Sequence, residues 1–258
     1  MDFRVEIIAI GDELCYGRVQ DTNSYWIADQ ITRMGGKVKR ITCIKDELDE
    51  IYGAFRESLS RKPKIIISTG GLGPTSDDRT LDSISKLTKR EIIISKEVLI
   101  SISKKRKIKL DKMPDFFKKM SRTLESAKCI LNPVGVAPAT MLKIDQTILI
   151  VLPGPPREVK SIFITRLEGI IKKETSTRSL SKRLLVNLRE SEVSPIIDEL
   201  MDSNNNTYFK PLVSEYDPKK GLPIEIIVFD KNIEKCKKRM RKMLILFKNL
   251  LSENGEKI

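Results

Sequence analysis

Apolar residues occur in short unbroken runs and in helical spacing, and the two patterns alternate three times before residue 90. Continuous apolar runs bounded by turn formers predict buried strands, and recurrence every three or four residues predicts one face of a helix. Residues 64–68 form a run of the first kind, and residues 4–10 and 37–44 also read as strands. Asp21-Thr22-Asn23 offers caps for a helix carrying Trp26, Ile27, Ile31 and Met34, stopped by Gly35-Gly36. Residues 48–60 repeat the spacing with Ile51, Phe55 and Leu59, Pro63 ends that stretch, and residues 81–87 begin a third helix. Strand, loop and helix in repetition predict an α/β fold with an open parallel sheet and helices on both faces.

The middle of the chain is less regular. It predicts a short strand and helix within 91–102, a short helix opening on Pro114, and a loop over 132–138. Residues 139–144 and 147–152 read as strands around a turn at Asp145-Gln146, followed by a helix over about 157–173. Residues 172–181 are polar and read as a linker. Beyond them the pattern is strand 183–188, helix 191–201, a turn at Asn204-Asn205-Asn206, strands 207–214 and 224–229, and helix 232–251. The expected organisation is an α/β domain over 1–173 and a second, smaller α+β domain over 181–258.

Composition narrows the chemistry. Lysine and arginine number 48 against 35 acids, a net charge of +13. The basic stretches 103–107 and 235–241 read as solvated faces, and the few aromatics are not interleaved with them, which argues against nucleic acid as a partner. There is no histidine, so Ser-His-Asp triads, histidine-bearing zinc sites and histidine general bases are excluded. Cys15, Cys43, Cys129 and Cys236 are widely scattered, which predicts reduced thiols in a cytoplasmic protein rather than a disulfide frame or zinc knot. The chain opens directly into a strand, so no signal peptide is expected, and no run is long enough for a membrane span.

The chemistry concentrates in residues 69–80, T-G-G-L-G-P-T-S-D-D-R-T, between a strand and a helix expected to start near Asp77 and Asp78. Glycines let backbone amides approach an anion, and a helix N-terminus adds partial positive charge. Two carboxylates beside a phosphate make sense when a divalent cation such as Mg²⁺ lies between them. The stretch is neither a Walker A loop nor a dinucleotide fingerprint. In open α/β sheets ligands collect at the carboxyl ends of the strands. Gly11, Asp12, Glu13 and Asp21 follow the first strand, and Asp46 follows the second. Thr69, Gly70, Gly71, Gly73, Pro74, Thr75, Ser76, Asp77 and Asp78 follow the third; Asn132, Pro153 and Gly154 shape a far wall. Glu13, Asp21, Asp46, Asp77 and Asp78 are expected around one pocket, an acid cluster that calls for a cation, with Asp78 beside the glycine turn as the leading metal ligand. The expected partner is a phosphorylated small molecule.

These residues resemble the molybdopterin-binding family that includes MoaB- and MogA-type proteins, and in particular the amino-terminal domain of CinA-type (competence/damage-inducible) proteins. The family pattern G-D-E-L/I-L-x-G-x-x-x-D-T-N corresponds to Gly11 through Asn23, with Cys15 at the second leucine position. T-G-G-L-G-P-T-x-D-D-x-T is matched in full by Thr69 to Thr80. N-x-x-G-x-A-P-G is matched from Asn132, with Ala139 replacing the last glycine, and L-P-G-V-P-x-E-M appears as L-P-G-P-P-R-E-V from Leu152. The resemblance implies a three-layer αβα sheet and a homo-oligomer. In MogA-type adenylyltransferases two acids are tied to Mg²⁺ and nucleotide, and the resemblance places them at Asp46 and Asp78, the expected catalytic pair and metal ligands, with Asp77 as a further ligand. CinA-type amino-terminal domains are associated with metal-dependent ADP-ribose pyrophosphatase activity, which is the expected function here. The alternatives are molybdopterin adenylyl transfer and non-catalytic nucleotide or pterin binding. The carboxy-terminal deamidase of the long CinA-type proteins is not expected, because the tail is short and lacks a serine-nucleophile signature.

Overall fold

Strand β1 (Arg4–Ile10) is buried along six of its seven residues and lies inside a mixed sheet. The structure is a computed structural model that describes residues 3–253. It contains two compact units, one within residues 1–31 and 37–174, the other within 32–36 and from 175 onward.

The first unit continues with α1 (Asp12–Cys15), α2 (Thr22–Arg33), β2 (Lys37–Ile44), α3 (Leu48–Ser60), β3 (Ile65–Thr69) and α4 (Thr80–Thr88). A long excursion follows: β4 (Ile92–Ile94), α5 (Lys96–Arg106), a 3₁₀ turn at Leu110–Lys112, α6 (Asp115–Met120), β5 (Arg122–Leu124) and β6 (Lys128–Ile130). It closes with β7 (Ala139–Ile144), β8 (Thr147–Leu152), α7 (Pro156–Ile162), a π-helical turn at Phe163–Leu167 and α8 (Glu168–Glu174). The sheet order is β2-β1-β3-β8-β7-β6. Its first four strands are parallel, whereas β7 and β6 run antiparallel. On one face Ile8, Ile10, Ile66 and Val151 pack with Ile51 and Phe55 of α3 and Leu81 and Ile84 of α4. Strand alternation turns Ile7, Ala9 and Ile67 to the other face. There Trp26 of α2 meets Phe163 of the π turn edge-on, ring centroids 5.3 Å apart.

The second unit contains β9 (Arg178–Val186), α9 (Glu190–Ser203), β10 (Thr207–Pro211), a 3₁₀ turn at Val213–Glu215, β11 (Leu222–Asp230) and α10 (Ile233–Glu253). Its antiparallel sheet, ordered β10-β11-β9, has a core of its own. Cys236, Met240, Met243, Phe247 and Leu251 recur at helical spacing and form the buried stripe of α10. Among the described residues no helix is long and apolar enough to cross a membrane.

Three expectations need correction. Residues 178–181 are not linker but the start of β9, where Leu180 is the one apolar residue and the backbone pairs with Ile227 to Asp230. An edge strand with few buried side chains has no apolar pattern to announce it. Helix α4 (Thr80–Thr88) agrees with the spacing over 81–87, but Asp77 and Asp78 lie in the turn before it and not in its first turn, because the Asp78 carboxylate is drawn back onto Gly73 and Thr75. The single helix expected over 157–173 is broken by the π turn.

Candidate ligand cleft at the strand ends

The turns that follow β1, β2, β3 and β8 enclose a cleft of about 440 Å³. Gly11, Glu13, Asp21, Asp46, Thr69, Gly70, Gly71, Gly73, Asp77, Asp78 and Gly154 line it, as the sequence predicts. A larger cleft of about 850 Å³ lies by the opposite strand ends, lined by Arg4, Lys39, Arg40, Lys62 and Lys64. It has no glycine turn, and its one acid, Glu6, is engaged by Ser58 and Arg61. Chemistry and topology therefore select the smaller cleft.

The glycine turn is tightly built. Gly70 and Gly71 have φ of +104° and +67°. A Cβ on Gly70 would stand 2.0 Å from the Ile10 carbonyl oxygen, and one on Gly71 would stand 2.0 Å from Thr80 Oγ1. The Thr80 hydroxyl donates to the Gly70 carbonyl at 3.0 Å and holds the turn against α4.

The amides of this turn are shared out differently from expectation. Gly70 N–H donates to the Leu152 carbonyl at 3.1 Å. Gly73 N–H donates to Asp78 Oδ1 at 2.7 Å; Thr75 N–H and Thr75 Oγ1 donate to Asp78 Oδ2 at 2.8 and 2.5 Å. The carboxylate of Asp78 thus fills the anion position that the Gly73 and Thr75 amides create, a local side-chain turn available to aspartate. The amides of Gly71 and Leu72 make no hydrogen bond among the described residues, and both residues line the cleft.

Asp46 and Asp12 clasp each other: Asp12 N–H donates to Asp46 Oδ2 at 3.0 Å, and Asp46 N–H donates to Asp12 Oδ1 at 3.1 Å. Burial pushes the Asp46 carboxyl up to about 6; the Asp12 amide opposes this, and the charges of Asp12, Glu13 and Asp77 add to it. Asp21 caps α2, its Oδ1 accepting Ser24 N–H at 2.9 Å.

Asn132 is not a wall of the cleft. It is buried, its Nδ2 donates to the Ala137 carbonyl and to Glu158 Oε2, and its Oδ1 accepts Val134 N–H and Gly135 N–H. It braces the 132–138 loop against α7. Pro153 is buried behind the surface, and Asp12, Pro74, Thr75 and Ser76 also fall outside the lining. Asp12 and Thr75 act through the carboxylates they hold.

Asn23 is the residue missed as a ligand candidate. Its Nδ2 donates to the Gly154 carbonyl at 2.7 Å, while its Oδ1 is buried without a partner among the described residues. Asn23 lines the cleft. Leaving such an acceptor unpaired costs about 1–3 kcal/mol, and a ligand donor would recover it. The Asp21-Thr22-Asn23 triplet carried this signal, since it closes the family pattern, although of the three only Asp21 is expected in the site.

Among the described residues no three Cys, Asp or Glu side chains stand together closely enough to hold a metal on protein ligands alone. Asp46 faces other acids in a half-buried position, and Asp78 Oδ1 accepts only one bond, leaving a lone pair.

The fold and this strand-end cleft define a molybdopterin-binding type of α/β domain. Residues 6–173 match the family described as "probable molybdopterin binding domain", and the chain belongs to that family. Within it the likeness is to CinA-type proteins. The structure of the protein CinA from Thermoplasma acidophilum, described as having unknown function, aligns at 34% identity with a TM-score of 0.61, covering 66% of this chain and 98% of that one. A CinA-like protein of Thermosipho melanesiensis is 38% identical over 186 residues, 70% of this chain but only 46% of its own length. A protein of Metallosphaera sedula is 31% identical over 257 residues, 99% of this chain and 97% of its own.

Proposed function

We propose that the chain hydrolyses the pyrophosphate bond of a nucleotide diphosphate of the ADP-ribose type, with a divalent cation as cofactor. The observation that carries this reading is Asp46, a carboxyl raised to about 6 by burial and by neighbouring acids in a cleft that also presents unpaired amides. Raised carboxyls gather at functional sites because the cost of keeping them is repaid by the ligand. The Gly71 and Leu72 amides donate to a phosphate oxygen. Asn23 Oδ1 accepts a hydrogen bond from an amino or hydroxyl group of the ligand. Asp78 keeps the turn in shape through Gly73 and Thr75. Asp46 and Asp78, with Asp77 beside them, would hold the cation together with the phosphates, and a bound ion polarises the phosphoryl oxygens.

The test is incubation of the protein with ADP-ribose and Mg²⁺ or Mn²⁺, with products read by mass spectrometry. AMP and ribose 5-phosphate are expected, lost on adding chelator. Asp78→Ala should slow the reaction at least about tenfold, equivalent to about 1.4 kcal/mol. No AMP with either metal would end the reading. A pterin amino group would also satisfy Asn23 Oδ1, which favours molybdopterin as the second ligand to try. Adenylylated pterin from molybdopterin, ATP and Mg²⁺ would then replace AMP release as the activity.

A further inference from the structure

Two of the four cysteines that look isolated in the sequence meet in the fold. Cys15 ends α1 and Cys43 is the penultimate residue of β2. They are 28 positions apart, both are exposed, and their sulfurs lie 3.8 Å from each other. We propose that Cys15 and Cys43 are a reversible dithiol–disulfide site which, when oxidised by a small-molecule disulfide, ties α1 covalently to β2 beside the cleft.

A disulfide bond is about 2.05 Å long, so the sulfurs have to close by about 1.8 Å. Cys15 is placed to move, since α1 is a four-residue helix followed closely by Gly17 at φ +66°. The other two cysteines are differently placed: Cys236 is fully buried with its thiol donating to the Arg178 carbonyl at 3.2 Å, and Cys129 is partly buried. The pairing does not rest on the proposed hydrolase reading. It does place a covalent tie where α1 and β2 are already joined by the Asp12–Asp46 clasp.

The exchange balances in two steps. The Cys15 thiolate attacks one sulfur of the small disulfide, forming a mixed disulfide and releasing one small thiolate. The Cys43 sulfur, after losing its proton to solvent, attacks Cys15 Sγ and expels the second small thiolate. Two protein thiols are oxidised by two electrons, and one small disulfide is reduced to two thiols. Desolvation, the contact with Cys15 and the charges of Asp21 and Glu13 push the Cys43 thiol up to about 11, and the two sulfurs can exchange roles without altering the balance. Those acids also make a neutral disulfide a better reagent than an anionic one.

The full chain is incubated with 2-hydroxyethyl disulfide, remaining thiols are alkylated, and the digest is read by mass spectrometry. The expected product is a Cys15–Cys43 linked peptide from monomer-sized chain, reversed by dithiothreitol. The link should raise the melting temperature by roughly 5–10 °C, given the size of the closed loop. Cys15→Ser and Cys43→Ser should form no link and show no rise, while melting like the reduced parent. The proposal is overturned if both thiols remain alkylatable, if each is capped separately, if the link joins two chains, or if the linked chain melts as before.

Discussion

At Asp46 the folded chain holds a proton that the unfolded chain would release at lower pH, since the carboxyl is raised from 3.8 to about 6. The stability this group contributes is full below about pH 4 and is lost as pH rises through about 6. At neutral pH Asp46 is therefore a strained charge. Asparagine keeps the acceptor for Asp12 N–H and removes that charge. Asp46→Asn should melt at a higher temperature than the parent at pH 7.5 but not at pH 4, while losing the diphosphate hydrolysis proposed above. Thermal melts at the two pH values, run beside the assay, separate a ligand-holding acid from a purely structural one. Asp78 should behave in the opposite way, because its alanine variant strands the Gly73 and Thr75 amides and lowers melting temperature and activity together.

At the level of elements, β1 and α3 are pinned by Glu6, which accepts from Arg61 Nη2 at 2.7 Å and from Ser58 Oγ at 2.8 Å. Burial pushes the Glu6 carboxyl up, but the Arg61 and Ser58 bonds and the charges of Arg61 and Arg40 outweigh it, and the net shift is downward from 4.5. Its stabilisation is present above pH 4.5 and disappears as pH falls through the lower folded value. Arg61→Met should cost about 2–3 kcal/mol in urea melts at pH 7, and less near pH 3. Elements whose burial imposes a pattern are legible from the sequence: β1, α3 and the β7–β8 hairpin end where their apolar runs end. β5 and β6, at three residues each, are too short to show a period, and the outer half of β9 has no apolar face. In the site, the strand-end glycines and acids are equally legible. The capture of Asp78 by its own turn, the bracing by Asn132, the open acceptor of Asn23 and the approach of Cys15 to Cys43 are not. Each depends on loop conformation, which leaves no periodic trace.

Among the described residues each unit has buried clusters of its own, and this sets how damage to one unit is observed. Phe247 is fully buried in the second unit and packs on Phe209 at 5.5 Å between ring centroids. Phe247→Ala should cost that unit about 3–5 kcal/mol. The one tryptophan, Trp26, belongs to the first unit. In the variant, far-ultraviolet circular dichroism should therefore begin to fall at a lower temperature than Trp26 fluorescence changes; coincident curves would mean that the cores melt as one.

The pairing of β3 with β8 bears on how the protein is made. Ile65 to Thr69 align with Ile148 to Leu152, and the Gly70 amide closes onto the Leu152 carbonyl. The glycine turn thus waits for a segment synthesised some eighty residues later. Parallel contacts of such long reach form slowly, because a large loop has to close before any of them is rewarded. A nascent or refolding chain can form its local helices before this long-range pairing closes, and the proposed ligand cleft is completed only after it.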